Sequence, residues 1–239
     1  MAFPYLKDRH WLDLTRDERF FCAELYQQLK HADNLRSFLD LVNDKLRKPN
    51  AGESRSDRLP TDPGLWEVGF EVALYRDVVH SLGHRGDGHG PYTIGNSGFS
   101  RKRTFDLCLF SATQLIIIEA KVCEGLDSDQ LGAFEQDRTK VRQLLTVDTP
   151  EVLLVGLWAK SYQRKLDSRK GKNYTAIRNK VHEVFDGTLH WNELTGRIPS
   201  PDVNSGMDLW ALAEASHDRR QGALPQKDGA NVHWAPSNP

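Results

Sequence analysis

Apolar and polar positions alternate along this chain with two different periods, and the change of period marks its organisation. Phe20, Phe21, Leu25 and Leu29 recur at helical spacing and predict a helix ending near Lys30. Ahead of them, Thr15-Arg16-Asp17-Glu18 has the form of a capping box, in which the Thr15 hydroxyl and the Glu18 carboxylate satisfy orphan N–H groups. A second helical pattern runs from near Asn34 through Leu35, Phe38, Leu39, Leu41, Val42 and Leu46, and stops at the breakers Pro49 and Gly52. A third helix is expected over roughly 65–82, followed by a glycine-rich loop over 83–100. Two segments then read as strands, Thr104-Phe105-Asp106-Leu107-Cys108-Leu109-Phe110 and Ile116-Ile117-Ile118-Glu119-Ala120-Lys121. The short Ser111-Ala112-Thr113-Gln114 turn between them predicts an antiparallel hairpin.

Downstream come a helix over about 128–145, a buried-type strand over 152–158 and a basic helix near 174–185. A short strand at 188–191 and an amphipathic piece over about 207–215 follow. This order predicts an α/β fold, a mixed-sheet core flanked by helices and carrying an N-terminal helical extension. The expected divisions are a helical segment over 1–50, a linker over 51–64, a core over 65–215 and a polar tail without fixed structure over 216–239.

Composition narrows the function classes. The 239 residues, 38% hydrophobic and 27% charged, are globular in kind and fit one core. A formal net charge of −1 argues against a protein that coats nucleic acid by bulk electrostatics, but leaves room for acidic and basic clusters that offset each other. Three cysteines with no CxxC pair argue against a disulfide framework or a cysteine zinc site. The start of the chain has no secretory pattern and no apolar run approaches membrane-spanning length, so a cytoplasmic protein with no membrane partner is expected.

The hairpin carries the chemistry. Side chains alternate across a strand, so Glu119 and Lys121 share one face while Ala120 points to the other. Asp106 is a similar polar intrusion among Phe105, Leu107, Cys108 and Leu109. A buried carboxylate must meet a cation or hydrogen-bond donors. Two hard-oxygen carboxylates on neighbouring strands, with the Ala120 carbonyl close by, suit Mg2+ or Mn2+. Such an ion acidifies a bound water and stabilises charge on a phosphoryl oxygen, with Lys121 beside it to orient or deprotonate that water. The plain alternative is a buried ion pair in an unrelated α/β protein.

With Asp106 thirteen positions before Glu119-Ala120-Lys121, the pattern resembles the PD-(D/E)xK nuclease superfamily, which includes restriction endonucleases and resolvases. The resemblance covers about residues 65 to 160, and Phe105 stands where the family's usual proline precedes the aspartate. It implies a restriction-endonuclease-like core, with Asp106 and Glu119 binding metal and Lys121 assisting the attacking water. It further implies an acid on a first helix, here Glu71 or Glu67, with Glu71 favoured for its setting Phe70-Glu71-Val72-Ala73-Leu74. A glutamine on the following helix, Gln130, would lie near the metal or the nucleic-acid backbone. The implied function is a metal-dependent endonuclease that hydrolyses phosphodiester bonds, in DNA rather than RNA, in restriction, repair or defence against mobile DNA. A non-cleaving nucleic-acid-binding or assembly module on the same fold is the alternative.

Beyond the hairpin, the stretch 160–180 holds Lys160, Arg164, Lys165, Arg169, Lys170, Lys172, Arg178 and Lys180 against one acid, Asp167, with Tyr162 and Tyr174 interleaved. Together with Arg101, Lys102 and Arg103, it is the expected phosphate-binding surface. The N-terminal helices are the expected place for a homodimer contact or a partner protein.

Overall fold

The computed structural model describes residues 17–47, 58–81, 103–123, 125–145, 150–168, 170–200 and 208–219. The expectations for Thr15, for the loop over 83–100, for Arg101, Lys102 and Arg169, and for the tail from 220 on lie outside these residues. Residues 216–219, expected to begin that tail, instead end a helix in which Ser216 is buried.

Five strands form one mixed sheet in the order β1-β2-β3-β4-β5. They are β1 (Glu67–Val72), β2 (Phe105–Phe110), β3 (Gln114–Lys121), β4 (Glu151–Trp158) and β5 (Gly187–His190). The first three form an antiparallel meander; β4 joins β3 in parallel, and β5 joins β4 in parallel. The expected hairpin is therefore β2–β3. Strands β3 and β4 are buried along almost their whole length, which is why they read as continuous apolar runs instead of alternating ones.

Helices cover both faces. On one, α1 (Glu18–Leu29) and α2 (Ala32–Lys45) bury Phe21, Leu25, Phe38 and Leu39 against Leu107, Leu109, Ile116, Ile118, Leu153 and Leu157. The N-terminal pair is thus one layer of the core. The same layer is completed by α7 (Trp191–Leu194) and α8 (Leu209–Arg219), whose Trp191 and Trp210 stack at 6.2 Å. On the other face, α3 (Leu74–Ser81), α4 (Ser128–Leu144), α5 (Lys160–Ser168) and α6 (Lys172–Val184) pack around Cys108, Leu115, Ile117, Leu154 and Trp158. Among the described residues, no helix is long and apolar enough to cross a membrane.

Residues 65–82 depart from the expected single helix. Pro63–Leu65 form a 3-10 turn, Glu67–Val72 form β1, and only Leu74–Ser81 are helical. Val68, Phe70 and Val72 also alternate with period two, and that pattern wins. As a strand the segment pairs its backbone with β2, and it stacks Phe70 on Tyr26 of α1 at 5.9 Å. Phe70, Leu74 and Val78, which stand at helical spacing, belong to a strand and to the helix after it.

One row of the sheet is irregular. Val68 and Phe70 pack on the α1 side but Val72 on the other; likewise Leu107 and Leu109 face α1 while Phe105 does not. Two residues apart on a strand should share a face, so both strands turn over between these positions, at Glu71 and Asp106. Glu71 has φ 51°, in the left-handed region.

Gly156 tests the packing of the parallel half. A Cβ built there would lie 2.0 Å from the ring of Trp158, which is fully buried and cannot yield, whereas a Cβ on Gly132 in α4 would meet nothing within 4 Å. Gly156→Ala should destabilise the protein by about 3 kcal/mol through overpacking. Gly132→Ala should stabilise it by about 0.5–1 kcal/mol through helix propensity. Urea unfolding checks both, and equal midpoints for the two variants would refute the packing account.

Candidate metal centre

The register that pairs Leu107 with Ile118, carried one step on, sets Asp106 opposite Glu119 at the end of the hairpin. Asp106 Oδ2 accepts the Ala120 N–H at 2.8 Å, so the carboxylate takes a donor from the neighbouring strand where the sheet turns over. What the structure displays of Ala120 at this site is that N–H. The carbonyl of Lys121 accepts the Trp191 indole N–H at 3.0 Å, which fixes the last residue of β3 against the buried aromatic layer.

The third carboxylate comes from an unexpected place. Glu18, the first residue of α1, reaches over the strand end; its Oε1 lies 3.2 Å from Lys121 Nζ and its Oε2 accepts the Val122 N–H at 3.3 Å. Ligand oxygens of Glu18, Asp106 and Glu119 all lie within 4.8 Å of one another. The N-cap of α1 is Asp17, which accepts the Arg19 N–H at 3.1 Å, so Glu18 is left for the site and does not serve as a capping-box acid. The signal was in the sequence: Glu18 stands at i of the i, i+3, i+4, i+7 row that continues with Phe21, Cys22 and Leu25, all buried.

Glu71 does not occupy the role expected of a first-helix acid. It lies on β1, not on a helix, and its carboxylate pairs with Arg19 Nε at 3.3 Å. Glu67 is exposed at the start of the same strand. The first-helix acid brought to the cluster is Glu18.

Electrostatics in the cluster are dominated by burial. Burial, then the Asp106 charge, pushes Glu119 up to about 8 against the pull of Lys121. Burial also pushes Glu18 up to about 7, again opposed by Lys121. Asp106 rises for the same first reason, restrained by the Ala120 N–H, by Lys121 and by a hydrogen bond with Glu119. Lys121 Nζ lies 2.5 Å from Glu119 Oε1; burial lowers its pKa, but Glu119, Glu18 and Asp106 outweigh that and hold the amine above its ordinary value. Even the adjacent Cys22 thiol is pushed well up, by burial and then by these carboxylates. Three carboxylates thus share one ammonium, and the unbalanced charge is met by retained protons. An all-oxygen donor set that is short of cation is the chemistry a hard metal ion completes, so the three carboxylates could hold one.

Gln130 lies in the first turn of α4, whose N-cap Asp127 accepts its N–H at 2.7 Å; its side-chain oxygen is buried and has no hydrogen-bond partner. Of the basic residues, Lys160 and Arg164 are exposed one turn apart on α5, Lys165 is half-buried beside them, and Lys170 is exposed before α6. Lys172 opens α6. Arg178 donates to the Asp167 carbonyl at 3.1 Å and Lys180 pairs with Glu135, so these two are engaged within the fold. Arg103 is withdrawn from the expected surface. It donates to the buried Asp137 carboxylate through two nitrogens at 2.7 and 3.0 Å, and lies over the Phe134 ring at 4.2 Å. Tyr75 donates to the other Asp137 oxygen at 2.6 Å, so this network ties α3, the start of β2 and α4 together.

The exposed basic residues begin close to the cluster. Lys121 pairs with Trp158 across β3 and β4, and α5 starts two residues after Trp158. The Tyr162 hydroxyl of α5 accepts the Leu126 N–H at 2.8 Å, which holds that helix to the segment between β3 and α4. No protein-family model matches the chain, and no curated protein or solved structure matches it.

Proton linkage gives a direct test. A carboxyl that holds its proton more tightly when folded contributes stability below the ordinary carboxylate range and loses it as pH rises through the folded value, about 7 for Glu18 and about 8 for Glu119. Metal-free protein should therefore lose stability relative to Glu119→Gln as pH rises from about 4.5 to about 8, measured by urea midpoints. Mn2+ binding near neutral pH should release protons, read by calorimetry in two buffers of different ionisation enthalpy. A wild type that gains stability on the variant over that interval would contradict the assignment.

Proposed function

We propose that the protein is a metal-dependent endonuclease that hydrolyses phosphodiester bonds, with DNA as the favoured substrate. One observation carries the reading: the convergence of Glu18, Asp106 and Glu119 within 4.8 Å around the Lys121 amine. The acid from a helix ahead of the meander, the aspartate on β2 and the Glu-x-Lys on β3 then follow the PD-(D/E)xK pattern in order. A five-stranded mixed sheet between helices supports a restriction-endonuclease-like core.

In this reading Glu18, Asp106 and Glu119 hold Mg2+ or Mn2+. When bound, the ion supplies an acidified water and a positive charge for the phosphoryl oxygen. Ala120 keeps the Asp106 carboxylate in place through its N–H. Lys121 carries a proton at Nζ while it serves the carboxylates alone. With a cation held by those carboxylates, Lys121 would be placed to hydrogen-bond and orient the attacking water. Lys160, Arg164 and Lys170 offer exposed charges to the flanking phosphates. Restriction, repair and defence against mobile DNA remain the settings in which such an activity would serve.

Cleavage of plasmid, linear duplex DNA, single-stranded DNA and RNA, each with Mg2+ or Mn2+, tests the proposal. Asp106→Asn, Glu119→Gln, Glu18→Gln and Lys121→Ala should each lower the rate on the order of 100-fold or more. Activity that survives all four substitutions would sink the site. An inert wild type that also binds no Mn2+ in a titration would favour a non-cleaving nucleic-acid-binding module.

A further inference from the structure

Two features at the rim of the cluster have no role in the reading above. The first is the backbone of Glu71, the one described non-glycine residue with a left-handed φ, at 51°. The register pairing Phe70 with Leu107 and Val72 with Phe105 sets it abreast of Asp106. The second is Arg19, the residue after Glu18, whose Nε meets Glu71 Oε1 at 3.3 Å. Its own N–H is held by Asp17, so the first turn of α1 is fixed where the arginine leaves it.

The Arg19 side chain is 72% exposed. An ion pair that open contributes too little stability to offset a left-handed backbone at a residue with a side chain. The strain is better understood through what it presents. A carboxylate bound at Nε takes one edge of the guanidinium and leaves Nη1 and Nη2 as a fork for two oxygens of an incoming group. The adjacent cluster has three carboxylates and one ammonium, so an anionic substrate arriving there needs further positive charge at the rim. Arg19 is next in sequence to one of those carboxylates, and its partner Glu71 stands abreast of another.

We propose that Arg19 binds a phosphate of the substrate strand beside the metal cluster, and that Glu71 is the positioning residue that aims its guanidinium. The inference rests on the phosphodiesterase reading and adds a substrate contact to it. Lysine would not substitute fully, because an ammonium lacks the planar fork.

The test uses the full chain as wild type, Arg19→Ala, Arg19→Lys, Glu71→Gln, Glu71→Gly and the Arg19→Ala/Glu71→Gln double variant. Two quantities are read: kcat/KM with Mn2+ on short labelled duplex DNA, single-stranded DNA and RNA of one sequence, and Mn2+ affinity without nucleic acid. Arg19→Ala should lose about 100-fold in kcat/KM on whichever substrate is cleaved. Arg19→Lys should recover part of that loss, and both Glu71 variants should lose about 10-fold; the double variant should be no worse than Arg19→Ala. Mn2+ affinity should stay within about twofold throughout. An Arg19→Ala rate near that of the wild type, or a fall in Mn2+ affinity that matches the fall in rate, would overturn the proposal while the nuclease reading stands. A wild type that leaves all three substrates intact overturns both.

Discussion

Three carboxylates held around one buried ammonium at the end of an apolar sheet is the constraint on which the rest of this structure depends. Isolated charges could not be kept there, since each would lose its hydration without compensation. Here the Ala120 N–H serves Asp106, the Val122 N–H serves Glu18, and Lys121 lies against Glu18 and Glu119. The strands accommodate the cluster by turning over at Glu71 and Asp106, so that an acid sits where strict alternation would continue the core.

Supports for that arrangement come from both layers. On the α1 side, the Trp191 indole pins the Lys121 carbonyl and stacks on Trp210, so α8 contributes to the end of β3. On the other side, Asp137 gathers Arg103 and Tyr75 near the start of β2. The Glu214 carboxylate accepts the N–H groups of Lys160 at 2.7 Å and Asn192 at 3.3 Å, joining the starts of α5 and α7. These contacts restrict the elements that meet at the cluster, and rigid support is what the proposed metal site requires.

How much of this was legible in the sequence varied with the physics of each segment. The β2–β3 hairpin, with its Asp106, Glu119 and Lys121, could be read because polar residues inside apolar strands stand out and the turn between them is short. The β1 segment could not, because Val68, Phe70 and Val72 satisfy a period of two while Phe70, Leu74 and Val78 satisfy a helical one; pairing with β2 decided between them. Glu18 was visible as an acid heading an apolar stripe, yet a local capping role explained it equally well. Only the folded chain shows it reaching Lys121. Arg103 sits in a basic run, and nothing local reveals that Asp137, 34 positions away, claims it.

The distance along the chain between the cluster's parts has its own consequence. Glu18 and Lys121 are 103 positions apart, and Glu18 sits in the first described turn of the first described helix. Helix ends fray more readily than core strands open. In the proposed function an ion that needs Glu18 binds fully only while that turn is docked, so occupancy of the site and docking of the first turn of α1 are thermodynamically linked. Anything that lifts the first turn of α1 off the sheet, whether a partner, a proteolytic cut or a change in the residues before it, would act as a switch on the metal without touching the hairpin.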